Sequence, residues 1–178
     1  MRPFDMTEEF HQTFDPTCPP VPQPFSYEKA VFRGGFKIEE IVEFIYAASD
    51  NDQEKFSQGL SDLHRAIDQA EKKLRVKAQQ TEDTFTEQVD ALCDLLYFTY
   101  GSFSLMGIDP DPLLAIVHQA NMGKLFPDGQ PHYHPETHKV MKPDDWSERF
   151  APERKIKAEI ARQIQAKQRL LQDDQTVK

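Results

Sequence analysis

The chain has 178 residues, which is enough for one domain with its own hydrophobic core. Hydrophobic residues make up 38% and charged residues 29%, as is typical of a globular protein. Thirty acidic residues against 21 basic ones give a net charge of -9. This acidity disfavours nucleic acid and anionic membrane surfaces as partners, because both are bound mainly through Lys and Arg.

Targeting and redox signals are weak. No apolar run approaches the roughly 20 residues that cross a bilayer, and the N-terminus lacks the basic-then-apolar order of a signal peptide. Cys18 and Cys93 form neither a disulfide framework nor a metal-binding spacing. We therefore expect a cytoplasmic protein.

Proline placement divides the chain. Of 13 prolines, six lie at or before Pro24 and seven at or after Pro110. Because proline inside a helix costs about 3 kcal/mol, the stretch between them is predicted to be helical. We expect an N-terminal arm with a Pro-rich connector at 1–35, a helical bundle at 36–126, a loop segment at 127–150, and a basic C-terminal helix at 151–178.

Helices account for every strong periodic signal. A first helix is predicted at 7–14. Another follows Gly34 and Gly35, and the polar cluster from Ser49 to Asp52 ends it and caps the next. An apolar stripe on that next helix, of coiled-coil type, predicts packing against other helices. The predicted main helices are 36–48, a second running to about 78, 83–106, 113–122 and 152–171.

Carboxylates interrupt the apolar pattern of the first main helix. Glu39, Glu40 and Glu43 lie within the segment IEEIVEFI. Spacings of three and four place side chains on one helix face.

A second acidic face follows on the helix at 83–106. Glu87, Asp90 and Asp94 have the three, four, seven spacing of one face. Buried carboxylates need partners, and few basic residues lie nearby in the sequence. Two acidic faces on core helices therefore indicate convergence on a cation. Carboxylate oxygens without thiolate or imidazole favour Mg²⁺, with Mn²⁺ as an alternative.

Structural explanations compete with this one. Glu39 and Glu40 fall in the first turn of the predicted helix, where acids stabilise the positive end of the dipole. Thr84 and Glu87 have the spacing of a capping box. Neither explanation extends to Asp94.

Asn121 and Lys124 lie at the end of the helix at 113–122. They form either a helix C-cap, with Gly123 left-handed, or an amide and an ammonium directed at a phosphate. The spacing alone favours the cap.

Three histidines follow in a loop, His132, His134 and His138, with Glu136 among them. Zinc is conceivable, but flanking prolines and the lack of a cysteine ligand disfavour it.

The same loop continues into Lys139 and Lys142, which are candidates for contact with a polyphosphate. Tyr133 and Trp146 are candidates for stacking on a base, although lone aromatic residues more often serve packing.

Together these motifs resemble the all-α nucleoside triphosphate pyrophosphohydrolases, especially the MazG-like, phosphoribosyl-ATP pyrophosphohydrolase-like branch. The resemblance rests on the two acidic motifs and on the segments EEFHQTF, DALCDLLYFTYGSFSLMGIDPDP, VHQANMGKLFPDGQP and KVMKPDDW. It spans roughly residues 10 to 146.

The resemblance implies an all-α, four-helix-bundle fold that assembles as a homodimer or a dimer of dimers. It also implies Mg²⁺-dependent hydrolysis of a nucleoside triphosphate to the monophosphate and pyrophosphate. The implied site residues are Glu40, Glu43, Glu87 and Asp90 as metal ligands, Glu39 either assisting these ligands or orienting the attacking water, and Asn121 and Lys124 at the phosphates.

Two departures from the family pattern stand out. The interval from Glu43 to Glu87 is long, and Asp94 adds an acid one turn beyond the family pair. Whether Asp90 or Asp94 is the closer ligand stays open.

The expected chemistry is in-line attack by a metal-positioned water. Glu39 or Glu43 would take its proton, and Lys124, helped by Lys139 or Lys142, would neutralise the developing charge. The alternative is a non-catalytic nucleotide-sensing or dimerisation module on the same fold, against which the full set of motif carboxylates argues. Nothing in the sequence indicates the base or sugar preference.

Overall fold

All regular secondary structure in the described residues, 1–77 and 83–176, is helical, so the all-α prediction is confirmed. In the computed structural model, the one pairing outside helices in these ranges is an antiparallel bridge between Tyr133 and Val140. The helices in chain order are α1 (Pro3–Phe14), α2 (Tyr27–Ala48), α3 (Gln53–Lys77), α4 (Thr84–Met106), α5 (Asp111–Met122), α6 (Trp146–Arg149) and α7 (Glu153–Thr176).

Helix α2 begins at Tyr27, so the predicted start at residue 36 is wrong. The hydroxyl of Ser26 caps the helix by accepting a hydrogen bond from the Lys29 backbone N–H at 3.2 Å. Gly34 and Gly35 lie inside the helix. A helical glycine costs only about 1 kcal/mol, which a cap and a long helix offset.

The turn between α2 and α3 forms as the sequence predicts. Asp50 and Asn51 take left-handed backbone conformations, with φ of 50° and 65°. The Asp52 carboxylate accepts from the N–H groups of Glu54 and Lys55 at 3.0 and 3.1 Å and so caps α3. The predicted end of α3 near Ala78 lies outside the described residues.

Two units make up the chain, and the division falls within α4. The first unit is Pro22–Leu92 and the second joins Met1–Val21 to Cys93–Lys178.

In the Pro22–Leu92 unit, α2 packs against α3. The ring of Tyr46 meets that of Phe56 edge-on at 5.1 Å. The start of α4 is tied to the chain before α2, because the side-chain amide of Gln88 both accepts from the Phe25 N–H at 2.9 Å and donates to its carbonyl at 3.3 Å.

In the other unit, α5 packs against both α1 and α7. His118 on α5 lies 3.1 Å from the carboxylate of Glu9 on α1. The buried apolar residues of this unit come from α1, α5 and α6: Met6, Phe14, Leu113, Ala120 and Trp146.

A buried amide holds α7 in place. Gln163 accepts a hydrogen bond from the Asp109 N–H at 2.8 Å and donates to the Asp109 carbonyl at 3.0 Å. It also donates to Glu159, and Arg162 pairs with the same carboxylate at 2.6 Å. These bonds, from Arg162 first and then Gln163, lower the pKa of Glu159 to about 2.

The ring of Phe150 occupies the space beside Gly123 at the end of α5. A Cβ on Gly123 would lie 2.3 Å from that ring. The φ of Gly123 is -66°, an ordinary helical value, so the predicted left-handed cap is wrong. Glycine is required there because of the close approach and not because of its backbone conformation.

Among the described residues, no single helix is both long and apolar enough to cross a membrane. Helices α4 and α5 pass that test of length and composition as a pair bent by 118°.

Replacing Gly123 with Ala is expected to lower the free energy of unfolding by about 1–3 kcal/mol, because the methyl group must displace the Phe150 ring. Gly35→Ala is the matched control. No atom lies within 4 Å of its Cβ position, so it should stabilise α2 by about 0.5–1 kcal/mol. Denaturant unfolding at one fixed protein concentration measures both. Equal effects at the two positions would contradict the packing explanation.

Candidate active site

Glu39, Glu40 and Glu43 lie in the middle of α2 and are exposed. Because α2 begins at Tyr27, Glu39 is roughly three turns from the helix start. The dipole effect falls off within the first turn. The dipole explanation for Glu39 and Glu40 is therefore wrong.

Glu87 does not take part in a capping box. The cap of α4 is Asp83, whose carboxylate accepts from the Thr86 backbone N–H at 2.9 Å and from the Thr86 hydroxyl. These hydrogen bonds lower the pKa of Asp83. Thr84 is the first helical residue, so the predicted box of Thr84 and Glu87 is wrong.

Asp90 and Asp94 follow Glu87 along α4, and all three side chains are exposed. Asp90 belongs to the same unit as the α2 carboxylates, whereas Asp94 falls just beyond the division. Their spacings of three and four along a continuous helix place them on one face.

Neither acidic helix is a core helix of the single chain, so that expectation is wrong. Helices α2 and α4 contain no buried residue. Within 1–77 and 83–176, no three His, Cys, Asp or Glu side chains are grouped to hold a metal ion. The ligand roles of Glu40, Glu43, Glu87, Asp90 and Asp94 therefore stay predictions.

Asn121 and Lys124 are brought together at the end of α5. The Lys124 ammonium donates to the Asn121 side-chain oxygen at 2.7 Å and lies 5.9 Å from the centre of the Phe10 ring. Both residues are half-buried. The structure thus forms a paired amide and ammonium, the arrangement that suits contact with a phosphate oxygen.

Lys142 reaches the same end of α5 through Trp146. Its ammonium lies 4.0 Å from the Trp146 ring centre, and the indole N–H donates to the Ala120 carbonyl at 2.8 Å. Trp146 is buried, so it is not a base-stacking surface. Lys139 is exposed in the preceding loop. Tyr133 is tied by its hydroxyl, which donates to the Phe14 carbonyl at 2.6 Å.

The loop histidines are occupied by local contacts. His132 lies 2.8 Å from the Asp128 carboxylate and stacks on Phe126 at 4.0 Å. The Nδ1 atom of His134 accepts from the backbone N–H groups of Glu136 and Thr137 at 3.3 Å. His132 and His134 therefore make their contacts within this loop.

Two cations on α2, Lys29 and Arg33, fall within the predicted connector at 1–35, and Lys37 follows just after it; none of the three is among the predicted site residues. Lys29, Arg33 and Lys37 repeat at intervals of four residues just before Glu39. The helical spacing was the available signal, but it carries meaning only once α2 is known to start at Tyr27.

Replacing Asp83 and replacing Glu87, the two acids near the start of α4, should have different effects on the free energy of unfolding. Asp83→Ala removes the N-cap and is expected to cost about 1 kcal/mol of unfolding free energy. Glu87→Gln should cost nothing in metal-free protein, because it removes one of several like charges. Thermal melts in the presence of a chelator make the comparison. A loss for Glu87→Gln as large as that for Asp83→Ala would restore its structural role.

Comparisons with known proteins support the family that the two acidic motifs indicate. A family model for phosphoribosyl-ATP pyrophosphohydrolase matches residues 7–121. A solved structure of a candidate NTP pyrophosphohydrolase from Exiguobacterium sp. 255-15 is similar, with 38% identity and a TM-score of 0.81 over 94% of this chain and 98% of that one. No curated protein sequence matches this chain. The chain belongs to the phosphoribosyl-ATP pyrophosphohydrolase family.

Proposed function

We propose that this protein is a Mg²⁺-dependent pyrophosphohydrolase that converts a nucleoside triphosphate and water to the monophosphate and pyrophosphate. Family membership makes it a hydrolase of phosphoanhydride bonds. The non-catalytic sensing or dimerisation module is not favoured, because the chain keeps both acidic motifs and resembles an NTP pyrophosphohydrolase over almost its whole length.

One observation carries the proposal: carboxylates on α2 and α4 have no helix-end role. Glu40 and Glu43 lie far from the helix start, and Glu87 is not the cap of α4. Several like charges on one face raise the free energy of the folded chain. A bound cation removes that cost.

The donor chemistry of this set fits Mg²⁺. Glu40, Glu43, Glu87 and Asp90, with Asp94 as a further candidate, supply only carboxylate oxygens, which hard cations prefer. Mn²⁺ accepts the same donors. When bound, the metal supplies charge neutralisation at the phosphates and a positioned water.

The remaining roles belong to the chain's own side chains. Glu39 or Glu43 accepts the proton of the attacking water. Lys124, held by Asn121, donates to a phosphate oxygen on which negative charge develops. Lys142, held over Trp146, and Lys139 add positive charge for the polyphosphate.

Self-association is part of this proposal, as a homodimer or a dimer of dimers. The faces of α2 and α4 leave large apolar side chains in water, far more than a monomer usually exposes. Among those at least 40% exposed are Ile38, Phe44, Val89, Leu92, Leu96 and Phe98. Acidic residues interleave with them, so an assembly that covers these faces would also surround the carboxylates.

Neutralising a metal ligand should stop the reaction without unfolding the protein. Glu43→Gln and Asp90→Asn are each expected to lower pyrophosphate release by orders of magnitude, because the metal is lost. Lys124→Ala should cost about one charge-assisted hydrogen bond, roughly 1.5–3 kcal/mol in kcat/KM. A panel of nucleoside triphosphates with Mg²⁺ supplies the assay and reveals the base preference.

Metal-free melting curves provide the control for those variants. Removing one like charge should leave the melting temperature unchanged or higher, whereas breaking a buried ion pair would lower it strongly. Unfolding of Asp90→Asn, or near-normal turnover, would contradict its role as a ligand.

Charge placed on the exposed apolar face of α4 should dissociate the assembly. Leu96→Lys is expected to shift the protein toward monomer. Leu105→Lys, which places the same charge on a side chain that is 93% exposed, is the variant for comparison. Sedimentation velocity at micromolar concentration measures the change. A wild-type protein that sediments as a monomer would rule out the proposed assembly.

A further inference from the structure

Helix α2 carries a row of cations on the same face as one of its candidate metal ligands. Lys29, Arg33 and Lys37 are spaced by four residues, and Glu40 follows three residues later. At 100° per residue, all four project within an arc of about 80°. We call Lys29, Arg33 and Lys37 the cation row.

The cation row has no carboxylate partner in the part of the chain that the structure describes. Lys29 lies 5.2 Å from the centre of the Phe25 ring and Arg33 lies 5.6 Å from that of Phe36. The Lys37 ammonium donates to the Arg33 carbonyl at 3.2 Å. Aromatic and backbone contacts thus orient the three cations, and none of them lies within 4.0 Å of a carboxylate oxygen in the described residues.

This arrangement costs stability. Like charges four residues apart on a helix repel one another. Lys37 is partly buried, and its pKa is lowered, first by desolvation and then by the charge of Arg33. The row is therefore suited to binding an anion from outside the chain.

The neighbours of the row restrict what that anion is. Glu39, Glu40 and Glu43 continue along α2 directly after Lys37. A nucleic-acid backbone or an anionic membrane, which favours broad basic surfaces, would be repelled there and by the net charge of -9. A polyphosphate with a bound divalent cation suits both the carboxylates and the cation row. Its metal-bound end would face the carboxylates, and its metal-free end would face the cations.

We propose that the cation row binds the polyphosphate end of the substrate, with Lys37 and Arg33 on the phosphates that leave as pyrophosphate. The proposal rests on the proposed function for the position of the metal beside Glu40. Along the helix axis, Lys37 lies about 4.5 Å and Arg33 about 10.5 Å from Glu40, so the row leads away from the carboxylates one turn at a time. The cation row therefore discriminates between substrates by the length of the phosphate chain and not by the base.

The row also has a chemical role in the reaction. Hydrolysis forms a bond from the water oxygen to the α-phosphorus and breaks the bond from that phosphorus to the bridging oxygen. The bridging oxygen leaves with the pyrophosphate and carries the additional negative charge. Cations already held at that position stabilise the charge as it develops.

Binding of inorganic tripolyphosphate to the full-length protein tests the row without any nucleotide. Isothermal titration calorimetry in excess Mg²⁺ should show that Arg33→Gln and Lys37→Gln each weaken tripolyphosphate binding about tenfold or more, the effect of one lost charge-assisted contact. Arg33→Lys should recover most of the affinity. Lys55→Gln, which removes a cation paired with Asp52 at 3.6 Å on the same unit, should leave it unchanged.

The outcomes distinguish this inference from the proposed function. If Arg33→Gln weakens tripolyphosphate binding while no nucleoside triphosphate is hydrolysed, the cation row stands and the proposed activity fails. If wild type releases pyrophosphate but Arg33→Gln and Lys37→Gln bind tripolyphosphate normally, the row is refuted and the activity stands. Failure of wild type to bind tripolyphosphate also refutes it. So does a change in sedimentation for these variants, because the cations would then pair with carboxylates of a second copy.

Discussion

Repulsion among carboxylates that share the faces of α2 and α4 is the constraint on which the proposed site depends. Glu40 and Glu43 alternate with Ile41 and Phe44, and all four are exposed in the single chain. Burying these apolar side chains without neutralising the acids would be prohibitively costly. Neutralising the acids without burying the apolar side chains would leave apolar surface in water. Under the proposed function, a second copy and a divalent cation together would satisfy both requirements.

The unit that joins Met1–Val21 to Cys93–Lys178 is held together by side chains that form hydrogen bonds with backbone groups distant in the sequence. Tyr133 donates to Phe14, Trp146 donates to Ala120, and Gln163 bonds both polar groups of Asp109. Each bond fixes a loop or a helix against an end of another helix. Because Asn121 directly follows Ala120, the Trp146 hydrogen bond helps to fix the end of α5 on which Asn121 and Lys124 lie.

Proline placement and hydrophobic periodicity predict the helices well, because both act locally. They fail at the start of α2, where Gly34 and Gly35 suggest a break that the Ser26 cap overcomes. The predicted left-handed cap at Gly123 also fails, because the need for glycine there comes from Phe150, a residue far along the chain. The carboxylates of the candidate site stand out in the sequence because acids within apolar helices are unusual. Where they would meet is not predictable from one chain, because no three of them are grouped within the described residues.

The amide of Gln163 has a consequence for how this chain tolerates change. It satisfies one backbone donor and one backbone acceptor of Asp109 at once, so it needs an oxygen and an N–H group side by side. Glutamate has nearly the same shape but offers that pair only when protonated. A single nucleotide change that exchanges the amide for a carboxylate would therefore make this pair of hydrogen bonds depend on protonation of the carboxyl group. The position of α7 would then depend on pH.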